Sequence, residues 1–145
     1  MKIIELHRCD RGTQIAEFAL VLPLLLFISL AIIEGSSFIR IHQIINNAAR
    51  EGARISALPE NGGHPDGVVQ AVVAYGSKNG VTIDAAKVVI DQTKMITPAA
   101  GTPMSASQVT VTYDYHTQWL KVPFFKVPAT VNLTATAEFA NFYAL

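Results

Sequence analysis

The sequence predicts an α+β protein in which one long N-terminal helix precedes a second helix and a small three-stranded antiparallel sheet. Two observations support the helix: an apolar stretch of membrane-spanning length begins near Ile15, and helical periodicity continues beyond it without a stop. A third observation supports the sheet, because three segments in the second half of the chain have the character of strands.

The composition fits a membrane anchor joined to one small domain. The chain has 145 residues, of which 50% are hydrophobic and 15% charged, and the apolar excess is concentrated between Ile15 and Ile39. Its 11 Lys and Arg residues balance 11 Asp and Glu residues without forming a basic cluster, which argues against nucleic acid as a partner. Cys9 is the single cysteine, so the chain cannot form an internal disulfide.

The first half of the long helix, residues 13–39, is predicted to cross a membrane. About 20 apolar residues suffice for a span, and Pro23 is expected to bend the helix locally. A secretory signal is the competing interpretation, but the apolar run exceeds the usual 7–15 residues and contains Glu17. The charge rule leaves the orientation open because three basic residues flank each side of the span: Lys2, Arg8 and Arg11, then Arg40, Arg50 and Arg54.

The second half of the helix, residues 40–57, is predicted to be amphipathic. Seven small or apolar residues recur at helical spacing on one face: Ile41, Ile44, Ile45, Ala48, Ala49, Gly52 and Ile55. Pro59 and the Asn61-Gly62-Gly63 run should end the helix. The sequence therefore predicts one helix from about Thr13 to Ala57, whose small-residue face carries the rest of the protein.

Residues 58–145 are predicted to form the small domain. Asp66 is expected to cap a helix that runs to about Lys78, and Gly80 should stop it. Strands are expected at residues 87–93, 109–115 and 131–139, and the last two alternate apolar and polar residues. One face of an antiparallel sheet built from them would then be covered by the helices.

The connection between the last two strands, residues 118–128, is the candidate contact surface of this domain. It contains Trp119, Phe124 and Phe125, and its two lysines flank these aromatic side chains. If exposed, such a patch would bind a partner or the membrane surface. The alternative, that it folds back over the small core, stays open.

Two carboxylates lie within the apolar half of the long helix. A charge within a span costs about 2.5–3.5 kcal/mol on insertion scales, so Glu17 is expected to have a partner. Glu34 lies at the exit of the span and is expected at the membrane interface. For Glu17 the competing interpretation is a solvated position among the lipid headgroups.

The segment Arg11-Gly12-Thr13-Gln14-Ile15-Ala16-Glu17-Phe18 resembles the processing site of type IV prepilins. The resemblance implies that a prepilin peptidase cuts between Gly12 and Thr13 and removes residues 1–12 as a leader. It also implies that Glu17 faces the new N-terminus of a neighbouring subunit. Phe18 stands where this pattern often has tyrosine, so the aromatic bulk is kept without the hydroxyl.

The longer stretch from Arg11 to Ala57 is similar to the N-terminal signature of TadE-like proteins. The shared elements are Ala16-Glu17-Phe18-Ala19, a Leu-Pro-Leu-Leu-Leu core, Ile33-Glu34-Gly35, and Asn47-Ala48-Ala49-Arg50-Glu51-Gly52-Ala53-Arg54. This resemblance implies a type IV pilin-like fold and a pseudopilin-like role in assembly of the tight-adherence (Flp) pilus. The protein would be a single-pass component of the bacterial inner membrane with a periplasmic domain. The implied partners are the prepilin peptidase, other pilins, the assembly platform and the lipid bilayer.

The sequence contains no recognisable catalytic motif, and we expect neither enzymatic activity nor a cofactor. Its four histidines, His7, His42, His64 and His116, lack the spacing of metal ligands. The alternative function is a single-pass anchored periplasmic binding or enzymatic domain whose Gly12 is never cut.

Overall fold

The computed structural model describes residues 10–97, 101–117 and 128–142, without the side chains of residues 10, 11 and 13. Its helices are α1 (Asp10–Ser56) and α2 (Pro65–Lys78), with short 3-10 turns at Pro59–Asn61 and Ala85–Lys87. Its strands are β1 (Val88–Ile96), β2 (Met104–His116) and β3 (Thr130–Ala140). The predicted α+β class, one long helix followed by a second helix and a three-stranded antiparallel sheet, is confirmed.

Helix α1 has two halves with different surroundings. It has 47 residues and is about 70 Å long at 1.5 Å per residue. Its large apolar side chains from Ile15 to Ile33 are exposed except Leu30, which is half-buried, and Pro23 lies within this part. The first residue of α1 that the domain buries is Glu34. From there to Ser56 the helix forms the centre of the domain.

The small residues of α1 allow the sheet and α2 to approach its backbone closely. Ile45, Ala48, Ala49 and Ala53 are buried in the core on this face. At Gly52 an added Cβ would lie 2.5 Å from Cγ2 of Val72 on α2 and 3.2 Å from Cγ1 of Val109 on β2. The sheet and α2 therefore pack against the small-residue face of α1, as predicted.

The sheet has the order β1-β2-β3, and both pairs are antiparallel. β2 pairs with β3 in continuous register from Ala106–Ala140 to His116–Thr130. The β1–β2 register shifts by one residue, so that Gln92 and Thr93 lie opposite Ser107 in a β-bulge. Val109, Val111, Tyr115, Leu133 and Ala135 share the buried face, while the threonines between them point away from the core.

Two contacts fix the direction of the strands relative to α1. The Tyr115 hydroxyl near the end of β2 meets Glu34, whereas the Phe142 N–H just after β3 donates to the Ala57 carbonyl at 3.0 Å. β2 therefore runs back toward the part of α1 whose apolar side chains are exposed. β3 runs in the same direction as α1. The β2–β3 connection leaves the sheet near Glu34.

Helix α2 begins differently from the prediction. Asp66 was expected to cap it, but the helix starts at Pro65, and His64 occupies the N-cap position without a side-chain hydrogen bond. Proline suits the first helical position because its fixed φ is helical and its missing N–H would have no partner there. The predicted stop is confirmed: Gly80 has φ of 77°, and the Val81 N–H donates to the Gly76 carbonyl at 2.9 Å.

The end of α1 is tied to β1 by the side chain of Gln92. Its Nε2 donates to the Ser56 hydroxyl at 3.0 Å and to the Asn61 carbonyl at 2.8 Å, and its Oε1 accepts from the Gly63 N–H at 2.8 Å. Beyond the bulge, β1 pairs with β2 as far as Ile96, three residues beyond the predicted end.

Candidate functional site

The most conspicuous surface of the described structure is the exposed apolar part of α1, residues 14–33, which we call the bare half. Beginning at Gln14, α1 is the one helix in the described part of the chain that is long and apolar enough to cross a membrane. None of the side chains in its most apolar stretch is buried by the rest of the structure. Burying this much apolar surface requires lipid or other helices.

The predicted processing site lies at the start of this bare half. The Gly12–Thr13 peptide bond is inside α1, and Gly12 is exposed. Glu17 lies four residues after Thr13, one helical turn further on, and is exposed like its neighbour Phe18. Among the ion pairs between described residues, none includes Glu17. Its carboxylate is therefore available to a group outside this part of the chain.

A buried polar contact marks the end of the bare half. The Tyr115 hydroxyl donates to Oε1 of Glu34 at 2.5 Å, and the Phe38 ring packs edge-on against Tyr115 with ring centroids 5.4 Å apart. Glu34 is only 7% exposed. We call Glu34, Phe38 and Tyr115 the junction, because they fasten β2 to α1 where the exposed apolar surface ends.

Glu34 was expected at the membrane interface, which stays a prediction, and the structure shows in addition that the domain covers its side chain. A signal for this burial is present in the sequence. Glu34 and Phe38 continue the buried face of Ile41, Ile45, Ala48 and Gly52 backward at alternating intervals of four and three residues. A carboxylate in that series indicates a buried acceptor that needs a donor from the sheet.

A second surface feature lies at the opposite end of the domain. It is an open groove of about 500 Å³ between α1, α2 and β3, and we call it the distal groove. It is lined by Asn47, Arg50, Glu51, Ala53, Arg54, Tyr75, Ala137, Glu138 and Phe139. Arg54 forms two hydrogen bonds with Glu51, at 2.7 and 3.0 Å, and this contact lowers the pKa of the Glu51 carboxyl.

Exposed aromatic side chains extend the distal groove. Phe139 at the end of β3 is 40% exposed and Phe142 is 67% exposed, and their ring centroids are 6.1 Å apart. Arg50 lines the same groove as Phe139 and is exposed. Sequence reasoning did not single out these two phenylalanines, because only the strand order places them at a sheet edge.

The remaining polar contacts described here join elements of the fold to one another or lie within one helix. A shallow depression of about 250 Å³ contains Lys87 paired with Asp114, which joins the 3-10 turn before β1 to β2. His116 bonds Thr130 across β2 and β3, and His42 bonds Asn46 within α1. Within residues 10–97, 101–117 and 128–142, no three His, Cys, Asp or Glu side chains are grouped to hold a metal ion.

The predicted contact surface on the β2–β3 connection falls outside the described residues, and this includes Trp119, Phe124 and Phe125. The two ends of that connection are described. The Thr117 N–H donates to the Ala129 carbonyl at 3.2 Å, and the Thr117 hydroxyl donates to the Pro128 carbonyl at 2.9 Å. These ends lie beside Tyr115, at the junction end of the sheet.

Comparison with known proteins supports the resemblance drawn from the sequence. Residues 12–54 match a family model described as TadE-like protein. Neither the curated proteins nor the solved structures gave a match. The matched segment begins at Gly12 and ends two residues before the end of α1. Most of helix α1, from Gly12 to Arg54, is thus similar to TadE-like proteins.

Proposed function

We propose that this protein is a membrane-anchored, pseudopilin-like component of tight-adherence pilus assembly, and that a prepilin peptidase cuts it after Gly12. The observation that carries the proposal is the TadE-like match, which begins at Gly12 and covers the bare half of α1 together with the helical core of the domain. The role is structural: α1 packs among other pilin-like helices or against the assembly platform, and the domain docks a partner.

The geometry of α1 supports a definite depth in the bacterial inner membrane. From Gln14 to Ile33 the helix rises about 30 Å, which is the thickness of the hydrocarbon core of a bilayer. Glu34 is the first residue that the domain buries. We therefore end the span at Ile33, earlier than the expected boundary at residue 39, so that the domain rests on the periplasmic face of the membrane.

Cleavage would give Glu17 the partner that it lacks among the described residues. It would free the α-amine of Thr13, which is largely charged near neutral pH. In the apolar bundle, that ammonium and the Glu17 carboxylate of a neighbouring subunit each offset the desolvation of the other. A neighbour displaced by about one turn, or about 6 Å, brings the two groups level. The pair would thus set the stagger between subunits.

The test is the intact mass of the protein recovered from membranes, with the cognate prepilin peptidase present and absent. We expect residues 1–12 to be lost only when the peptidase is present. Gly12→Val should block the loss because it places a branched side chain at the cut. Gly35→Ala is the matched control in the same helix, since an added Cβ there meets no atom within 4 Å.

A full-length mass in both samples would overturn the proposal. The protein would then be a plain single-pass anchored domain with a binding or enzymatic role, and Glu17 would need another explanation. Loss of residues 1–12 from the Gly12→Val protein would place the cut elsewhere and would also contradict the assignment.

A further inference from the structure

The outer edge of β3 is open along the part of the chain that the structure describes. β3 pairs with β2 over all 11 of its residues, and no described strand lies on its other side. The pairing has no register shift, and Glu138 is the single charged residue of the strand. A long, regular and weakly charged edge presents backbone donors and acceptors to which another strand can add.

The other edge strand, β1, differs from β3 because it is protected against pairing with another strand. β1 carries the bulge at Gln92 and Thr93, and it also carries Asp91 and Lys94. The Asp91 carboxylate accepts from both the N–H and the hydroxyl of Thr93, at 2.9 and 2.7 Å. Bulges and charges are the usual means of preventing edge-to-edge pairing. Among the described residues, β1 is protected in this way and the outer edge of β3 is open.

The end of β3 adds the components of a specific interface. Phe139 and Phe142 offer exposed aromatic rings beside the distal groove, and Arg50 extends into the same groove. Arg54 is already paired with Glu51, whereas no carboxylate among the described residues pairs with Arg50. Aromatic and arginine side chains dominate the binding energy of protein interfaces. An exposed guanidinium binds a carboxylate through charge-assisted, often paired hydrogen bonds.

We propose that the outer edge of β3 binds an extended, acidic segment of another protein. The segment adds a fourth strand to the sheet, packs against Phe139 and Phe142, and places a carboxylate on Arg50. Apolar contact and main-chain hydrogen bonds supply the affinity, and the charge pair sets the register of the segment.

A second copy of this chain does not fit the same edge. Two β3 strands joined symmetrically would be antiparallel, and because β3 runs in the direction of α1, the two α1 helices would then point in opposite directions. Copies anchored in one membrane cannot do this. This exclusion rests on the anchoring proposed above, whereas the binding test below does not depend on it.

The test uses the full-length protein in lipid nanodiscs and a fluorescent synthetic peptide of alternating valine and threonine with glutamate near one end. Two matched peptides carry either lysine in place of glutamate or N-methyl groups on alternate backbone amides. Arg50→Glu is the test variant, and Lys94→Glu, a charge reversal on β1, is the control. Binding is followed by fluorescence anisotropy, and hydrogen exchange locates the peptide.

We expect the acidic peptide to bind and to slow exchange in β3 but not in β1. N-methylation should abolish binding, and the lysine peptide should bind about tenfold more weakly, a typical effect for one interfacial charge pair. Arg50→Glu should reverse this preference, and Lys94→Glu should leave it unchanged. No readout depends on cleavage after Gly12 or on pilus production, so failure here leaves the proposed function standing.

Four results would overturn the inference. The first is no binding of the acidic peptide up to its solubility limit, and the second is equal binding of the N-methylated peptide. The third is an Arg50→Glu protein that keeps the preference for glutamate. If light scattering instead reveals dimers whose β3 amides are protected without peptide, the occupant is a second copy and the proposal is wrong.

Discussion

The phenol oxygen of Tyr115 lies 2.5 Å from a carboxylate oxygen of Glu34, a residue 81 positions earlier in the chain. The contact is buried and joins the end of β2 to the point where α1 leaves the domain. A carboxylate at this position would be costly without a donor, because the domain buries it. The hydrogen bond therefore fastens the end of β2 to α1 where the exposed apolar surface of the helix ends.

Removing the donor should destabilise the domain. Tyr115→Phe keeps the ring that packs on Phe38 but leaves a buried acceptor without this hydrogen bond, so we expect a loss of about 1–3 kcal/mol in the free energy of unfolding. Denaturant titration in detergent micelles measures it. Tyr113→Phe, on the same strand, is the control and should change the free energy by less than about 0.5 kcal/mol. Equal losses in the two variants would contradict the prediction.

The same contact predicts a dependence on alkaline pH. Burial, followed by the hydrogen bond to Glu34 and the charge of Glu34, raises the pKa of Tyr115 to about 12. In the unfolded chain the tyrosine pKa is about 10. Between these values the unfolded state releases the proton and the folded state keeps it. The contribution of Tyr115 to stability is thus fully present below pH 10 and is lost as the pH rises through about 12.

The ultraviolet absorbance of tyrosinate, followed as the pH is raised, checks the raised pKa of Tyr115. One of the four tyrosines should titrate near pH 12, and this step should be missing from the Tyr115→Phe protein. If the two proteins give the same titration curve, the hydroxyl is not held as described.

Two glycines of α1 should respond in opposite ways to alanine. At Gly52 the new Cβ would lie 2.5 Å from Val72, so helix α2 or the sheet must move, at a cost of about 1–3 kcal/mol. At Gly35 no atom lies within 4 Å, so Gly35→Ala should be neutral or should stabilise the helix by up to about 1 kcal/mol. Thermal unfolding of both variants in the same detergent tests the difference, and a similar melting temperature for the two would refute close packing at Gly52.

Replacement of Glu17 should affect assembly and leave the fold intact. Glu17 is exposed and belongs to no ion pair among the described residues, so Glu17→Ala should fold normally. Removing one partner of a buried ion pair costs about 3–5 kcal/mol, so we expect few or no pili while cleavage after Gly12 continues. Electron microscopy of cells counts the pili, with Glu60→Ala as an exposed control. Normal numbers of pili on Glu17→Ala cells would rule out the pairing role.

The long elements of this fold could be predicted because their patterns are local. The helix expected from Thr13 to Ala57 is found at Asp10–Ser56, and both alternating segments form β2 and β3. Strand ends were less predictable, since the bulge at Gln92 and Thr93 interrupts the alternation of β1. The start of α2 was missed because Asp66, a good capping residue, follows a proline that fixes the first helical position at 65.

The candidate sites depended more on tertiary structure. Gly12, Thr13, Glu17 and Phe18 form a sequence motif, and they stay a prediction because their chemistry depends on other proteins. The partner of Glu34 is 81 residues away, so no local pattern could identify it. Phe139 lies in β3 and Phe142 two residues after it, so their exposure depends on the position of β3 at the sheet edge, and strand order is a property of the whole fold.

Continuity of α1 from lipid to core has a mechanical consequence. Between Pro23 and Ser56 the helix contains no further proline and no break, so the domain has no hinge of its own at the membrane surface. Membrane helices tilt by about 20° on average. The part of α1 inside the domain is about 34 Å long, so such a tilt moves the far end sideways by about 12 Å. With α1 anchored as proposed above, a torque on the span would displace the edge of β3, and a pull on that edge would tilt the span.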